Sequence, residues 1–325
     1  MSLEEITKHL EKSRKVLLAS HIHPDGDAIG SLIAMGLTLM DMGKEAWLYN
    51  ESPLPAIYHF LPSIHRIKHH PGEIGTYDTA VILDCSDLKR IGDAAGAVNR
   101  IPVIINIDHH ITNTRFGNLQ LIEPAASSTS EIIYRIIKGM NARITPAIAY
   151  AIYTGIMADT GSFRFANTTP EAFDISHEMV KLGANPHKVA HHVYETISLS
   201  RIKLLTMLFD TIEITPNNVM SLMTLTQNML RITGTRVQDV NGLINYAKAI
   251  EKVKVAALLY EKAKIKDSFT DESDFHVSLR SDGSVDVAKI AIYFGGGGHT
   301  RAAGFDIKGK LSEVKNQLYE ISNRI

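Results

Sequence analysis

The chain has 325 residues, of which 45% are hydrophobic and 21% charged, and its formal net charge at pH 7 is −1. This length accommodates one large or two medium globular domains. The near-neutral charge excludes an overall basic field that would bind long nucleic acid, although a local cleft can still bind a small anion or a short oligonucleotide. The single cysteine excludes an internal disulfide. No apolar run approaches the roughly 18 residues of a membrane span, and Met1–Glu5 does not resemble a signal peptide. We therefore expect a cytoplasmic protein without a membrane partner.

The first predicted strand leads into a turn that is rich in metal-binding residue types. Residues 3–14 are predicted to form an amphipathic helix, Lys15–Ala19 a buried strand, and the residues after the turn a second helix. The turn carries His21, Asp25 and Asp27 at the carboxyl end of the strand, where open α/β sheets bind ligands. Histidine together with carboxylate suits Mn²⁺, Fe²⁺ or Zn²⁺. The alternative is ordinary turn chemistry, since Pro, Asp and Gly dominate turns.

Three more apolar runs in the first half of the chain predict buried strands. They are Glu45–Tyr49, Thr79–Leu83 and Ile101–Ile107. Residues 51–77 are rich in Pro and His and are predicted to be mainly loop with a short helix. The apolar stretch Ile148–Ala158 has a helical pattern. Strands that alternate with helices indicate a parallel sheet.

Acidic and histidine residues stand at the carboxyl ends of these runs. Asp84 follows the second run, Asp108-His109-His110 follow the third, and Asp159 follows the helical stretch. Because parallel strands bring their carboxyl ends to one edge of a sheet, we expect these side chains to meet the first turn. Chance places one acidic residue after a strand, but three strands, including Lys15–Ala19 with its turn, end in this way and indicate a site. Asp159 alone would be typical of an ordinary helix terminus.

The second half mixes predicted helices and strands. Helices are predicted at Pro170–Gly183 and at roughly Pro186–Phe209, the latter connecting two domains that meet near residues 185–215. A turn is predicted at Pro216-Asn217-Asn218. The remaining predicted strands are Val219–Leu225, Val255–Tyr260 and Phe275–Arg280, and the remaining predicted helices are Val240–Glu251, Val287–Tyr293 and Leu311–Ser322.

A run of four glycines, Gly295–Gly298, is the second unusual stretch. Glycines permit positive φ and expose backbone N–H groups, so the loop can wrap an anion, with His299 and Arg301 as cationic donors. The loop lacks the Gly-Lys-Ser/Thr of a Walker loop. A flexible linker is the alternative, but linkers rarely lie between a helix and an apolar strand such as Ala302–Phe305. Arg280, at a predicted strand end, is suited to bind phosphate, although it can also be simply solvated.

Charge balance connects the two halves of the chain. The four carboxylates of Asp25, Asp27, Asp84 and Asp159 balance two divalent cations, so cationic groups of the second half would complete the binding of a phosphate substrate. We therefore expect the active cleft between the two domains, a common place for ligands.

The motifs together resemble the DHH phosphoesterase family with a DHHA1 second domain, in the family's order and over nearly the whole chain. The matching motifs are His21-x-x-Pro-Asp25-Gly-Asp27-x-x-Gly30-Ser31, Asp84-Cys-Ser-Asp87, Asp108-His109-His110, Asp159-Thr-Gly-Ser-Phe-Arg164, Val277-Ser-Leu-Arg280-Ser281 and Gly295-Gly-Gly-Gly-His299-x-x-Ala-Ala-Gly304. The resemblance implies an α/β fold: a parallel-sheet catalytic domain with helices on both faces at 1–190, a connector at 191–214, and a smaller mixed-sheet substrate-binding domain at 215–325.

The resemblance also implies a reaction and its cofactors. Within the family the chain is similar to stand-alone nanoRNases, which hydrolyse short oligoribonucleotides to 5′-mononucleotides and dephosphorylate adenosine 3′,5′-bisphosphate (pAp). It implies two Mn²⁺ ions, one held by His21, Asp25 and Asp84, and the other by Asp27, Asp84, His109 and Asp159. Asp108 would orient the histidine pair, and His110 would act as general acid or transition-state donor.

The resemblance further implies residues that bind substrate. The set that would hold the terminal phosphate consists of Arg280, Ser281, Gly297, Gly298 and His299. Asn113 and Arg164 are additional candidates for substrate contact, and a homodimer is a further expectation. The pairs His69-His70 and His191-His192 match no motif and are predicted to be ordinary histidines.

Two alternatives stay open at this stage. The same chemistry can act on pApA or cyclic-di-AMP, and cleft size, which decides this, is not readable from sequence. A nucleotide-sensing protein without catalysis is the second alternative, although every presumed ligand and His110 is present. An inorganic pyrophosphatase is less favoured, since such relatives have a different second domain without the glycine-histidine loop.

Overall fold

The chain forms two structural units, Met1–Thr196 and Ile197–Ile325. The structure, a computed structural model, describes residues 3–195, 197–236, 240, 242–263 and 273–325. Among the described residues, no helix combines the length and the apolar character that crossing a bilayer requires.

One parallel sheet organises the first unit. Its strands are β1 Lys15–Ser20, β2 Glu45–Tyr49, β3 Ile67–Lys68, β4 Thr79–Leu83, β5 Val103–Asp108 and β6 Leu119–Ile122. Its helices are α1 Leu3–Lys12, α2 Gly26–Asp41, α3 Ala95–Val98, α4 Thr129–Gly139, α5 Pro146–Asp159, α6 Pro170–Lys181 and α7 Pro186–Ala190. The strand order is β3-β2-β1-β4-β5-β6, and every neighbouring pair is parallel.

The strand order creates a switch point between β1 and β4. After β1 the chain moves outward to β2 and β3, and it then returns to place β4 on the other side of β1. In such sheets a crevice opens beyond the carboxyl ends of the strands at the switch point, and ligands bind there. This position therefore lies beyond Ser20 and Leu83, which pair across the two central strands.

The sheet is buried on both faces because its strands are apolar throughout. Val16 and Leu18 of β1 face one core with α2, α4 and α5, while Leu17 and Ala19 face another with α3 and the 3₁₀ helix Leu88–Ile91. Helices therefore cover both faces, which confirms the predicted architecture of this unit.

Two helices of the first core cross in very close contact. A side chain at Gly30 of α2 would place its Cβ 2.5 Å from the carbonyl oxygen of Ala151 in α5. Glycine at this crossing lets the two helices approach each other, and α5 ends at Asp159. The close crossing thus brings Asp159 toward the amino-terminal end of α2.

The second unit contains a mixed sheet, as predicted. Its strands are β7 Glu213–Ile214, β8 Met220–Leu225, β9 Val255–Glu261, β10 Ser273–Ser281, β11 Gly297–His299 and β12 Ala302–Gly309, in the order β11-β12-β10-β9-β8-β7. Only β8 and β9 are parallel among the described pairs. Its helices are α8 Leu199–Phe209, α9 Gln227–Thr233, α10 Ile244–Lys248, α11 Val287–Tyr293 and α12 Leu311–Ser322. Helices α11 and α12 pack on one face, and α8 and α10 on the other.

Two predicted helices differ from the structure. The single helix predicted at Pro186–Phe209 is wrong: α7 ends at Ala190, His191–Glu195 form a π-helical turn, and α8 begins at Leu199. A new helix begins there because the Ser198 hydroxyl accepts a hydrogen bond from Arg201 N at 3.1 Å, which caps α8. The helix predicted at Val240–Glu251 is shorter, Ile244–Lys248, and residue 241 lies outside the described residues.

Candidate metal centre

Histidines from two strand ends converge on Asp84, which directly follows β4. His21 Nε2 lies 3.4 Å from Asp84 Oδ2, and His109 Nε2 lies 3.7 Å from Asp84 Oδ1. His110 Nδ1 is also 3.6 Å from Asp84 Oδ1. Asp84 has a left-handed backbone with φ of 54°, a conformation that costs a non-glycine residue about 1 to 3 kcal/mol and is concentrated at functional sites.

The amino-terminal end of α2 supplies Asp25. Its Oδ1 caps the helix by accepting hydrogen bonds from Asp27 N at 3.0 Å and Ala28 N at 3.1 Å. Ligand atoms of Asp25, His21 and Asp84 lie within 4.8 Å of one another. The carboxylate that caps the helix therefore also belongs to a potential metal site.

Asp27 is 1% exposed and is held by another helix, α4. Thr129 N donates to Asp27 Oδ2 at 2.6 Å, and Ser130 N donates to Asp27 Oδ1 at 2.8 Å. These are backbone groups of the first turn of α4, whose dipole favours a negative charge. The buried carboxylate is thus fixed through both oxygens.

Asp159, the last residue of α5, faces His109. His109 Nε2 lies 3.6 Å from Asp159 Oδ2, while Asn167 Nδ2 donates to the same carboxylate oxygen at 3.2 Å. The other ring nitrogen of His109 faces the carbonyl oxygen of Ala126 at 3.4 Å, and Nδ1 of His21 faces its neighbour's carbonyl oxygen at 2.8 Å. Both histidines therefore direct Nε2 to the carboxylates, the orientation that a metal-binding histidine needs.

Asp108 lies against His110 and Asn113. The buried Asp108 Oδ1 lies 2.7 Å from His110 Nδ1, and Asp108 Oδ2 accepts a hydrogen bond from Asn113 Nδ2 at 2.6 Å. Asn113 Oδ1 in turn accepts from Asn106 Nδ2 at 3.1 Å. The amide of Asn113, expected to contact substrate, is thus engaged in holding Asp108.

The carboxylates and histidines described above form one group, which we call the Asp84 cluster. Its members are His21, Asp25, Asp27, Asp84, His109, His110 and Asp159. The charges within this cluster favour the binding of a cation. Burial raises the pKa of Asp27 well above its ordinary range, and the Asp84 and Asp159 carboxylates raise it further. Burial likewise raises the pKa of Asp159 to about 7, despite nearby His109. For Asp84, burial opposes ionisation, but hydrogen bonding to His21 and the charges of the three histidines hold its pKa well below the usual range.

The neighbouring carboxylates in turn raise the pKa values of His21 and His109. Burial alone would lower the pKa of His21, but the adjacent Asp84 carboxylate outweighs it and raises the pKa to about 9. Burial also opposes the charge of His109, whereas Asp159, Asp27 and Asp84 together raise its pKa to about 9. Buried carboxylates that repel one another beside histidines form a site that a cation stabilises.

The residues present fit a divalent metal. Ions of this kind bind nitrogen and oxygen about 2.0 to 2.2 Å away, so ligand atoms of one ion lie roughly 3 to 3.5 Å apart. The separations of 3.4, 3.6 and 3.7 Å around Asp84 are close to that spacing. Histidine with carboxylate is typical of transition metals. Ligand atoms of His110, His109 and Asp84 also form a potential metal group.

The predicted phosphate-binding residues of the second unit lie on two strands, β10 and β11, which both pair with β12. Arg280 is partly buried near the end of β10, and its Nη1 donates to the carbonyl oxygen of Leu279 at 2.9 Å. Ser281 is buried, and its Oγ accepts a hydrogen bond from Gly283 N at 2.9 Å. The glycine run was predicted as a loop, but Gly297–His299 form the exposed edge strand β11.

Close backbone packing explains part of the glycine run. Gly298 has φ of 144°, and a Cβ there would lie 2.5 Å from Ala303 Cα in the paired strand β12.

Arg164, in the first unit, is exposed, and its Nε donates to the carbonyl oxygen of Gly161 at 2.6 Å. Sequence reasoning missed Thr129, Ser130 and Asn167, although Ser128-x-x-Glu131 is the pattern of a helix capping box.

Two family models match the two halves of the chain. The model of the DHH family, N-terminal domain, matches residues 15–156, and that of the DHHA1 domain matches residues 228–325. The chain is 30% identical over 297 residues to a protein of Thermus thermophilus named bifunctional oligoribonuclease and PAP phosphatase NrnA, covering 90% of this chain and 84% of that protein. It is 26% identical over 312 residues to a protein of the same name from Bacillus subtilis, covering 93% and 92%.

Solved structures show the same architecture. A crystal structure of an exopolyphosphatase-related protein from Bacteroides fragilis aligns with a TM-score of 0.91 and 27% identity, covering 99% of this chain and 95% of that one. RecJ from Thermus thermophilus aligns with a TM-score of 0.56 and 12% identity over 99% of this chain and 55% of that chain, a likeness of fold alone.

Proposed function

The chain belongs to the DHH phosphoesterase family, and from this premise we propose that it hydrolyses short oligoribonucleotides to 5′-mononucleotides and removes phosphate from pAp. The observation that carries the proposal is the convergence of His21, His109 and His110 on the buried Asp84 carboxylate. Relatives of similar length over most of this chain are named for these two activities. The near-neutral charge also favours substrates with few phosphates.

We propose two Mn²⁺ ions as the cofactor. His21, Asp25 and Asp84 would hold one ion, and Asp27, Asp84, His109 and Asp159 the other. The orientation of Asp84 supports a shared role, because Oδ2 faces His21 while Oδ1 faces His109. Two bound ions supply a nucleophile at neutral pH and neutralise charge on the attacked phosphate.

His110 is the proposed proton donor. The Asp108 carboxylate at Nδ1 fixes the orientation of the ring, which leaves Nε2 to donate a proton to the leaving oxygen. Burial would lower the pKa of His110, but the hydrogen bond to Asp108 together with the charges of Asp84 and Asp108 raises the pKa. Asn113 would contribute indirectly, because its Nδ2 donates a hydrogen bond to Asp108 Oδ2 and so holds that carboxylate in place.

The second unit is proposed to bind the terminal phosphate of the substrate. Among the described residues no carboxylate pairs with Arg280, so its guanidinium retains its charge for an anion. The backbone of Gly297 and Gly298 lies on an exposed edge, and His299 is exposed beside them. Ser281 would add its hydroxyl. Arg164, exposed in the first unit, is proposed as a further substrate contact.

A substrate panel tests the proposal. Purified full-length chain with Mn²⁺ is assayed on pAp, pApA, cyclic-di-AMP, five- and twenty-nucleotide RNA, and pyrophosphate, with Asp84→Asn protein as the matched control. We expect turnover of pAp and the short RNA, little of the long RNA, and none by the variant. Preference for cyclic-di-AMP would move the enzyme to cyclic-dinucleotide turnover, and inactivity on all six would replace the proposal by a sensing role.

A further inference from the structure

The segment that leads into α4 is the most densely buried polar stretch beside the Asp84 cluster. Its five residues, at most 1% exposed, are Ser127, Ser128, Thr129, Ser130 and Glu131. Burying polar groups is costly unless each finds a hydrogen-bond partner. The partners of this segment therefore indicate what it does.

Thr129 contacts two carboxylates that come from different parts of the fold. Its backbone N–H donates to Asp27 Oδ2 at 2.6 Å, and its hydroxyl donates to Asp84 Oδ1 at 3.1 Å. Asp27 belongs to α2, whereas Asp84 follows β4. One residue thus fixes the relative position of two proposed metal ligands.

We propose that Thr129 is a positioning residue whose hydroxyl orients the Asp84 carboxylate for metal binding. This inference rests on the proposed function in so far as Asp84 serves as a ligand. A carboxylate that serves two ions must keep its two oxygens aimed in different directions, and rotation about its terminal bond would lose that aim. The hydroxyl occupies one lone pair of Oδ1, leaves the other for an ion, and stops the rotation.

The segment is itself firmly anchored. Glu131, 1% exposed, accepts hydrogen bonds from Ser127 N at 3.0 Å and Ser127 Oγ at 2.5 Å, and its charge is paired with Arg135. Ser128 Oγ caps the helix by accepting from Glu131 N at 3.1 Å. Because the backbone around Thr129 is held at both ends of this turn, the hydroxyl stays where Asp84 needs it.

Substitutions that remove only the hydroxyl test the proposal. Thr129→Val keeps the shape and the backbone donors, and Thr129→Ser keeps the hydroxyl. Thr38→Val is the matched control, since Thr38 is also fully buried and donates to the carbonyl oxygen of Ala34 at 2.8 Å. Mn²⁺ affinity of the full chain is measured by calorimetry, and melting of the chelator-treated proteins is measured in parallel.

We expect Thr129→Val to weaken Mn²⁺ binding about 10- to 100-fold, the usual effect of losing a partner of a metal ligand. Thr129→Ser and Thr38→Val should bind Mn²⁺ like wild type, and the Val variants should melt alike. Equal affinity of Thr129→Val and wild type would overturn the inference; Thr129→Ala carries the same expectation if the valine variant does not fold. A wild-type chain that binds Mn²⁺ but cleaves no RNA or pAp would overturn only the proposed function.

Discussion

Replacing Gly155 with alanine would press α5 against the Asp84 cluster. A Cβ at this position would overlap Ser130 Oγ and lie 2.7 Å from Ser130 Cβ and 2.9 Å from Asp27 Oδ1. Ser130 is fully buried, and its Oγ already shares a hydrogen bond of 3.0 Å with Ser31 Oγ. The clash therefore has to move Ser130 or Asp27. Since Ser130 N donates a hydrogen bond to Asp27 Oδ1 at 2.8 Å, moving either residue disturbs this bond.

Opposing terms set the size of the effect. Alanine is favoured over glycine in a helix by about 1 kcal/mol. Forcing an extra carbon into a packed core costs about 1 to 3 kcal/mol, and losing a hydrogen bond to a buried charge costs about 1 to 3 kcal/mol more. The destabilising terms win, so we expect the free energy of unfolding to fall by about 3 kcal/mol.

Chemical denaturation and Mn²⁺-dependent turnover of pAp measure this prediction together. Gly96→Ala is the matched control, because Gly96 lies in the helix α3 and a Cβ there would meet no atom within 4 Å. The control should be as stable as wild type or slightly more stable, with full activity. If Gly155→Ala behaves like Gly96→Ala in both assays, the close packing of α5 against Ser130 and Asp27 is wrong.

Three further predictions concern charge. Asp84→Ala should abolish hydrolysis of every substrate while the chain stays folded, and retained activity would contradict a shared ligand. Arg280→Ala should raise KM for substrates with a terminal phosphate and leave kcat nearly unchanged, whereas an equal loss on a substrate without that phosphate would contradict phosphate binding. In the second unit, Glu213 accepts hydrogen bonds from Lys315 at 2.5 Å and Tyr319 at 2.6 Å, and although burial opposes it, these partners lower the pKa of Glu213. A lowered carboxyl pKa stabilises the fold above the ordinary value of 4.5, and this is lost as pH falls through the folded pKa. The stability difference between wild type and Glu213→Gln should therefore shrink below that pH, and a constant difference would contradict the ion pair.

Elements that show a continuous or periodic apolar pattern could be predicted from the sequence. β2 and β4 begin and end where the pattern predicts, as do α11 and α12. Because both faces of the first sheet are buried, its central strands are uninterrupted apolar runs, and polar residues mark their ends. His21 and Asp84 stand at such strand ends, which is why sequence alone predicts them as ligands.

Elements defined by tertiary contacts were not predictable in the same way. β3 has two residues, Ile67–Lys68, and exists only because it pairs with β2. β11 consists of Gly297–His299, residue types that do not favour strands, and is held by β12. The role of Thr129 depends on a contact with Asp84, 45 positions away in sequence, so neither spacing nor periodicity reveals it.

Phosphate release from pAp by metal-stripped protein, followed as Mn²⁺ is added back, tests the central claim most directly. The account predicts no release in the presence of chelator, recovery with Mn²⁺, and two ions bound per chain at saturation, with no recovery for Asp84→Asn. Full release with chelator present, or recovery in Asp84→Asn, would contradict a metal-dependent phosphoesterase built around this carboxylate.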